Sequence, residues 1–312
     1  MSSLNNKLLL IYLIILLVYV FYSSYLLRKE NIDNIHVHMG NHLSWYFHKL
    51  GRTILQKKDF SEKLDNVNFI KYLPSEIIYN DSEICKRTYD KFAEMGVTYE
   101  NSGYCPTAEW FIRDNNHLNF WLSMKPLVQE LLDNAFKKTG INSPVDCPVI
   151  HFRCSDVPFQ RHPDYHLIKY EFYKKALEDI NSKTSLNYSK VKILYSNGHL
   201  GDEKNGAACD IYSNTLKKYL EDLNYEVQMV ANADIEDFAN LFYAPAVIST
   251  VSSYSFMSGF FGKGIYITVE NLSEDEEKSK CDSEYMYNGF HLKHKMVDDY
   301  YDTDNVIKLL SS

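Results

Sequence analysis

The residues with the clearest chemistry lie at 151–156, HFRCSD, directly after an apolar run. Arg153 can meet a phosphate with two parallel hydrogen bonds, and the backbone amides of the loop would add positive field. Arg153 and Asp156 are therefore candidate catalytic residues, with a phosphate group as the target. The alternative is an Arg–Asp pair on a surface loop, which contributes little to stability.

A second polar group lies at 249–256, STVSSYSF. Its position predicts a strand that turns into a helix, so that the hydroxyls and amides of Ser252, Ser253 and Ser255 would converge on an anion. The alternative is a serine-rich N-cap before a core helix, which is the commoner use of such a string.

Two weaker signals involve glycine and the histidines. Gly40-Asn41 follows a strand-like run, and a glycine there lets the backbone approach a ligand or a helix closely. The loop 160–166 offers three candidate bases for an acceptor hydroxyl, although each is also an ordinary loop residue: His162, Asp164 and His166. No metal site is predicted, since an acidic partner at ligand spacing is missing beside His36, His38 and His42.

Hydrophobic periodicity predicts the elements that position these residues. In the first half it indicates a strand at 35–39, a turn at 40–41 and helices at 43–55, 82–95 and 122–138, with a loop at 101–116. Strand, glycine turn and helix form the opening of a βα unit.

Pro144 and Pro148 bracket a predicted domain boundary. Beyond it, strands alternate with helices, which predicts a mostly parallel sheet with right-handed crossovers and ligands at the carboxyl ends of its strands. The predicted strands are 149–153, 191–195, 225–230, 246–250 and 264–269, and the helices 170–181, 210–223 and 235–243. The expected fold class is α/β, with two Rossmann-like lobes, 35–145 and 146–312, and a cleft between them.

The segment 8–27 is uncharged and apolar, and as a helix it would span ~30 Å, the thickness of a bilayer core. We therefore predict a tail at 1–7, a transmembrane anchor at 8–27 and a stem at 28–34. The flanking charges do not decide the orientation. The expected topology is a single-pass type II membrane protein of the Golgi or ER with a lumenal body.

Short motifs and composition indicate which modifications and which classes of binding partner are expected. Three N-x-S sequons, at Asn80, Asn187 and Asn271, fit a glycoprotein, and six cysteines leave disulfides open but unassigned. With 33 basic and 41 acidic residues, a formal charge of −8 and no long basic run, a nucleic acid is not an expected partner.

Four segments in one order resemble the alpha-1,2-fucosyltransferases and their protein O- and alpha-1,6-fucosyltransferase relatives. The stretch 39–46 is similar to the G-N-Q-x-x-x-Y opening of that superfamily, and 151–156 is similar to its H-x-R-R-x-D motif. The stretch 236–242 resembles the acidic helix before the last motif, and 251–257 resembles N-S-T-F-S-W-W.

The resemblance implies a GT-B fold and an inverting, metal-independent transfer from a GDP-sugar, GDP-fucose first, to a glycan acceptor, without a cofactor. It implies that Arg153 binds the donor diphosphate and that His151 and Asp237 bind the guanosine. The phosphate cradle would be completed by Ser252, Ser253 and Ser255, and the cleft-facing turn of the acceptor lobe would be Gly40 and Asn41.

Three positions depart from that pattern: Cys154 replaces the second arginine, His42 the glutamine, and Phe256-Met257 the paired tryptophans. Two alternatives stay open. One is a catalytically inactive GDP- or glycan-binding membrane protein on a transferase scaffold. The other is a metal-dependent transferase of GT-A type that uses Asp302 and Asp304.

Overall fold

The computed structural model describes residues 39–64, 69–102, 115–141, 145–154, 157–160, 166–195, 203–232, 234–250, 252–269, 286–287 and 289–312. The predicted tail, anchor and stem, residues 1–34, lie outside these ranges. Within them, no helix combines the length and apolar character needed to cross a bilayer.

The N-terminal part of the described chain is mainly helical. Its elements are α1 (Met39–Leu55), β1 (Phe60–Ser61), β2 (Glu76–Ile77), α2 (Glu83–Glu94) and α3 (Asn115–Thr139). The strands β1 and β2 pair antiparallel. Ser82 caps α2, since its hydroxyl accepts a hydrogen bond from the amide of Cys85 at 3.3 Å, as expected for a serine before a helix.

The C-terminal part alternates strands and helices. In chain order its elements are β3 (Val149–Phe152), β4 (Leu167–Ile168), α4 (Tyr170–Thr184), β5 (Lys190–Tyr195), α5 (Glu203–Asp222), β6 (Glu226–Val230), α6 (Asp234–Tyr243), β7 (Ala246–Ser249), α7 (Ser253–Ser255), a π-helical turn (Phe256–Phe260), β8 (Ile265–Val269), β9 (Met286–Tyr287), β10 (His291–Leu292) and α8 (Thr303–Leu310).

Six of these strands form one parallel sheet in the order β6-β5-β3-β7-β8-β9. Numbered by their sequence within the sheet, the strands run 3-2-1-4-5-6, which is the strand order of the Rossmann fold. The strands β4 and β10 form a separate antiparallel pair. The prediction of an α/β fold with a parallel, Rossmann-like sheet is therefore confirmed.

Helices cover both faces of the sheet. Successive side chains of a strand point to opposite faces, and the two apolar cores follow this rule. Val149 packs in the core that contains α1, α3 and α6, whereas Ile150 and Phe152 pack in the core that contains α4, α5 and α8. Met39–Ser312 thus form one compact unit around the sheet.

The stretch 35–145 differs from the predicted Rossmann-like lobe. Its described residues form α1, α2, α3 and the β1–β2 pair, and the apolar faces of the helices pack onto the parallel sheet. Residues 35–38 lie outside the described ranges, but Met39, Gly40 and Asn41 belong to α1, so the predicted strand end and turn at these positions were wrong. Helical hydrogen bonding and burial of Met39 and Gly40 against the sheet core override the local turn signal of Gly-Asn.

Candidate functional site

The arginine segment, residues 151–154, lies at the carboxyl end of the central strand β3. His151 is paired with Leu194 of β5 and with Ser249 of β7, and Arg153 follows directly after the strand. Because side chains alternate along a strand, His151 and Arg153 face the layer of α1 and α6.

The serine segment, residues 252–255, lies at the carboxyl end of β7, the neighbour of β3. The parallel register brings the two segments to the same edge of the sheet. There Nη1 of Arg153 donates a hydrogen bond to Oγ of Ser252 at 3.4 Å, and the rings of His151 and Tyr254 lie 5.7 Å apart. Two motifs 99 residues apart in the sequence therefore meet.

The meeting point is also where the connections of the sheet change direction. From β3 the chain proceeds to β5 and β6 on one side, then crosses to β7, β8 and β9 on the other. In open α/β sheets, ligands bind outside the carboxyl ends of the strands at such a switch point.

Gly40 joins this site from α1. A Cβ placed on Gly40 would lie 2.5 Å from the carbonyl carbon of Ser253 and 2.6 Å from Cα of Tyr254, far inside contact distance. The first turn of α1 thus packs directly on the backbone of the serine segment, and only glycine permits that approach. The neighbouring Asn41 accepts a hydrogen bond on its carbonyl from the Ser44 hydroxyl at 2.8 Å.

Tyr254 connects the serine segment to the acidic start of α6. Its hydroxyl donates to the carbonyl of Asp234, and its ring packs edge-on against Phe238 at 5.3 Å. Burial, and then the nearby carboxylates of Asp237 and Asp234, raise the pKa of Tyr254 well above its usual range, so the hydroxyl stays protonated. The sequence motif contained Tyr254, but its role as a link was not predicted.

Asp237 is half-buried on α6 and accepts two hydrogen bonds from Asn232. The backbone amide of Asn232 donates at 3.1 Å and its side-chain amide at 2.9 Å. Burial nevertheless raises the pKa of Asp237, and repulsion from Asp234 and Glu236 acts in the same direction. The carboxylate is therefore held in one orientation by Asn232, while its charged form is disfavoured unless a positive or hydrogen-bonding ligand is present.

His151 is held neutral at physiological pH. Burial, with the adjacent Arg153 charge as a second cause, lowers the pKa of His151 to about 3. Its Nδ1 is inaccessible to solvent and has no hydrogen-bond partner within the described part of the chain. A neutral imidazole in this position can exchange a hydrogen bond with a ligand but cannot serve as a charged anchor.

The three serines have different surroundings. Ser252 occupies the N-cap position of α7, yet its side chain does not cap the helix and instead accepts from Arg153, which argues against the N-cap interpretation. Ser253 lies against Gly40. Ser255 is fully buried and hydrogen-bonded to the Ser249 hydroxyl, so it supports the turn from inside rather than facing a ligand.

Cys154 forms a disulfide with Cys209 of α5, with their Cα atoms 5.7 Å apart. Sequence analysis left the pairing open, because no local pattern joins two cysteines 55 residues apart. The described cysteines Cys85 and Cys147 are free and buried.

Several predicted site residues cannot be placed at this site. Asp156, His162 and Asp164 lie outside the described residues, while His166 packs edge-on against His291 with ring centroids 5.6 Å apart. Asp302 caps α8, since its carboxylate accepts from the amide of Asn305 at 3.3 Å. Asp304 lies in the first turn of the same helix, where a carboxylate interacts favourably with the helix dipole.

The fold and site together define a Rossmann-like α/β domain with an arginine, two serines and a half-buried aspartate grouped at its switch point. Comparison with protein families, curated proteins and solved structures finds no match to the chain. Function is therefore inferred from the residues and their geometry.

Proposed function

We propose that this protein is a glycosyltransferase that uses a nucleoside diphosphate sugar, with GDP-fucose as the first candidate donor and a glycan as the acceptor. The observation that carries the proposal is the hydrogen bond between Arg153 and Ser252 at the switch point of the sheet. It assembles a cation, hydroxyl groups and the start of a helical turn at the position where Rossmann-like sheets bind nucleotides.

The arrangement suits a diphosphate leaving group. In the transfer, the acceptor oxygen forms a bond to the anomeric carbon of the sugar, and the bond from that carbon to the diphosphate breaks. The Arg153 guanidinium would stabilise the charge that develops on the diphosphate, with the Ser252 hydroxyl as a further donor. The proton of the acceptor hydroxyl would pass to a base in the loop after β3, where Asp156 and His162 are the candidates.

His151 and Asp237 suit the nucleoside end of the donor. His151 offers a neutral ring nitrogen without a partner among the described residues, and Asp237 offers an oriented carboxylate. Both groups pair with donors and acceptors of a base or ribose rather than with phosphate. In this proposal the six-stranded sheet binds the donor, and α1 lies toward the acceptor.

The proposal extends to location. A disulfide in the body fits an oxidising compartment, since cytosolic proteins of ordinary organisms keep their thiols reduced. Together with the apolar segment 8–27 and the sequons, it supports a type II membrane protein with a lumenal body in the Golgi or ER.

The test is a thermal-shift titration of the full-length protein in detergent with GDP, UDP and CMP, each with and without EDTA. At 100 times the dissociation constant, a ligand stabilises the folded state by about 2.7 kcal/mol, a shift of roughly 5–10 °C for a domain of this size. We expect a shift with GDP that EDTA does not remove.

The matched variants are Arg153→Ala and Arg52→Ala. Arg52 stacks over Tyr99 at 3.9 Å and donates a hydrogen bond to Ser102, away from the site, so its loss removes a charge and local contacts without touching the arginine or serine segment. Losing the Arg153 contact should weaken GDP binding by about 10- to 100-fold, the value of a charge-assisted hydrogen bond. Equal weakening by both variants, or no shift with any nucleotide, would overturn the proposal.

A second assay separates the alternatives. Transfer or hydrolysis of a GDP-sugar supports the transferase, whereas GDP binding without turnover supports the inactive binding protein. Activity that EDTA abolishes and manganese restores would favour the metal-dependent transferase.

A further inference from the structure

Strand pairing does not hold Arg153 in place. In β3, His151 is the last residue paired on both sides, and Phe152 is paired only with Tyr195 of β5. Arg153 and Cys154 lie beyond the ladder. In the proposed function Arg153 binds the diphosphate. Its side chain is therefore attached to backbone that no longer pairs with a neighbouring strand.

The Cys154–Cys209 disulfide lies directly behind that strand end. Both cysteines are 1% exposed and pack, with Phe152, in the core on the α4 and α5 side of the sheet. The side chain of Arg153, between Phe152 and Cys154 in the sequence, points to the opposite face and reaches Ser252. The carbonyl of Cys154 also accepts a hydrogen bond from the amide of Val157 at 2.8 Å.

We propose that Cys154 and Cys209 are positioning residues for the nucleotide site. The cross-link to α5 fixes the backbone of residues 153 and 154 from the rear of the sheet and so holds the Arg153 guanidinium toward the donor diphosphate. The identity of the ligand in this proposal rests on the proposed function. The assignment also explains the cysteine at position 154: its side chain faces the apolar core, where a charged side chain would be buried.

The test is a thermodynamic cycle on the full-length protein with GDP as the probe. The variants are Cys154→Ala/Cys209→Ala, Arg153→Ala and the combination of all three. The conformational entropy of one freed backbone residue is equivalent to about a tenfold change in affinity. The Cys154→Ala/Cys209→Ala variant should therefore bind GDP about tenfold more weakly than wild type. Because the cross-link acts through Arg153, removing the disulfide from the Arg153→Ala variant should cause no further loss of GDP affinity.

The matched control is Cys147→Ala. Cys147 is buried and free and precedes β3 at the opposite end of the same strand, so its loss removes a buried side chain near the sheet without touching the cross-link. It should lower the melting temperature and leave GDP affinity unchanged. Unchanged affinity in the folded cysteine-pair variant, or losses that add to those of Arg153→Ala, would overturn the assignment.

A second readout needs no nucleotide. The reaction rate of Arg153 with a dicarbonyl reagent, mapped by peptide mass, should rise several-fold when the disulfide is removed, while that of Arg52 stays the same. If wild-type protein binds no GDP, the proposed function fails and this rate alone decides the positioning role. Should the cysteine-pair variant not fold, the rate is measured on folded wild-type protein after phosphine reduction, and an unchanged rate refutes the role.

Discussion

Replacing Gly40 by alanine tests the contact that brings α1 to the serine segment. The new methyl carbon would begin 2.5 Å from the carbonyl carbon of Ser253, and ordinary van der Waals contact starts at 3.4 Å. Because both partners are backbone, no side chain can rotate away. The helix and the serine segment must therefore separate by about 0.9 Å, the difference between these two distances.

The Gly40→Ala substitution has two opposing effects on the free energy of unfolding. Overpacking costs about 1–3 kcal/mol, and replacing glycine by alanine in a helix returns about 0.5–1 kcal/mol. The net loss of at most about 2.5 kcal/mol corresponds to a decrease of at most roughly 5–10 °C in melting temperature. Function is more sensitive, since a displacement of about 1 Å at reacting groups can cost about 100-fold in rate.

Gly51→Ala is the matched control on the same helix. Its methyl carbon would lie 2.5 Å from Cζ of Phe120 and 3.0 Å from Sδ of Met124, which are side chains that can shift. Both variants are measured for melting temperature, GDP affinity and turnover. We expect both to lose stability, but only Gly40→Ala to lose GDP affinity, by tenfold or more. If Gly40→Ala binds GDP like wild type, or if both variants weaken binding equally, the reasoning about this contact is refuted.

Two further predictions concern pH and modification. The unfolded chain protonates His151 near pH 6.5 and the folded chain only near 3, so this residue lowers the free energy of unfolding as pH falls through that window. The loss at pH 5 is about 2 kcal/mol, at about 1.4 kcal/mol per pH unit. In urea unfolding at pH 7 and pH 5, the free energy of unfolding should therefore decrease less for His151→Gln than for wild type, and parallel decreases in the two proteins would contradict this prediction. Asn187 is exposed in the loop after α4 with a φ of 49°, within a complete sequon, so Asn187→Gln should remove one endoglycosidase-sensitive step in protein expressed in eukaryotic secretory cells. Asn224, also exposed with a φ of 68° but outside a sequon, is the control, and an unglycosylated wild-type body would contradict the lumenal location.

Local pattern was sufficient for most elements of the second half of the chain. The strands β3, β5, β6, β7 and β8 were predicted within about one residue of their observed ends, because each is a short apolar run bounded by turn residues. The helices α4, α5 and α6 were also predicted, since their apolar residues recur at helical spacing, although α5 begins at Glu203 rather than at 210 and α8 was not predicted. In such units the period and the length of each segment leave few alternatives.

Very short strands and the start of one helix could not be predicted from local pattern. The two-residue strands β4, β9 and β10 exist only through their partners, so nothing in their own residues distinguishes them from loop. The helix α3 begins at Asn115, well before the predicted start at 122, because the buried aromatic residues Phe120 and Trp121 pack onto the sheet core. Burial in the tertiary structure therefore extends the N-terminus of α3 beyond the start that hydrophobic periodicity predicts.

The sequence by itself determined the α/β class and predicted which polar residues lie at the carboxyl ends of strands. It identified Arg153 after one strand and the serines after another, because alternating strands and helices place such residues at one edge of a parallel sheet. Only the tertiary structure decided that β3 and β7 are neighbours, that Gly40 packs on Ser253 and that Cys154 pairs with Cys209. Each of these contacts joins residues far apart in the chain, and its partner is selected by the packing of the whole core rather than by any local preference.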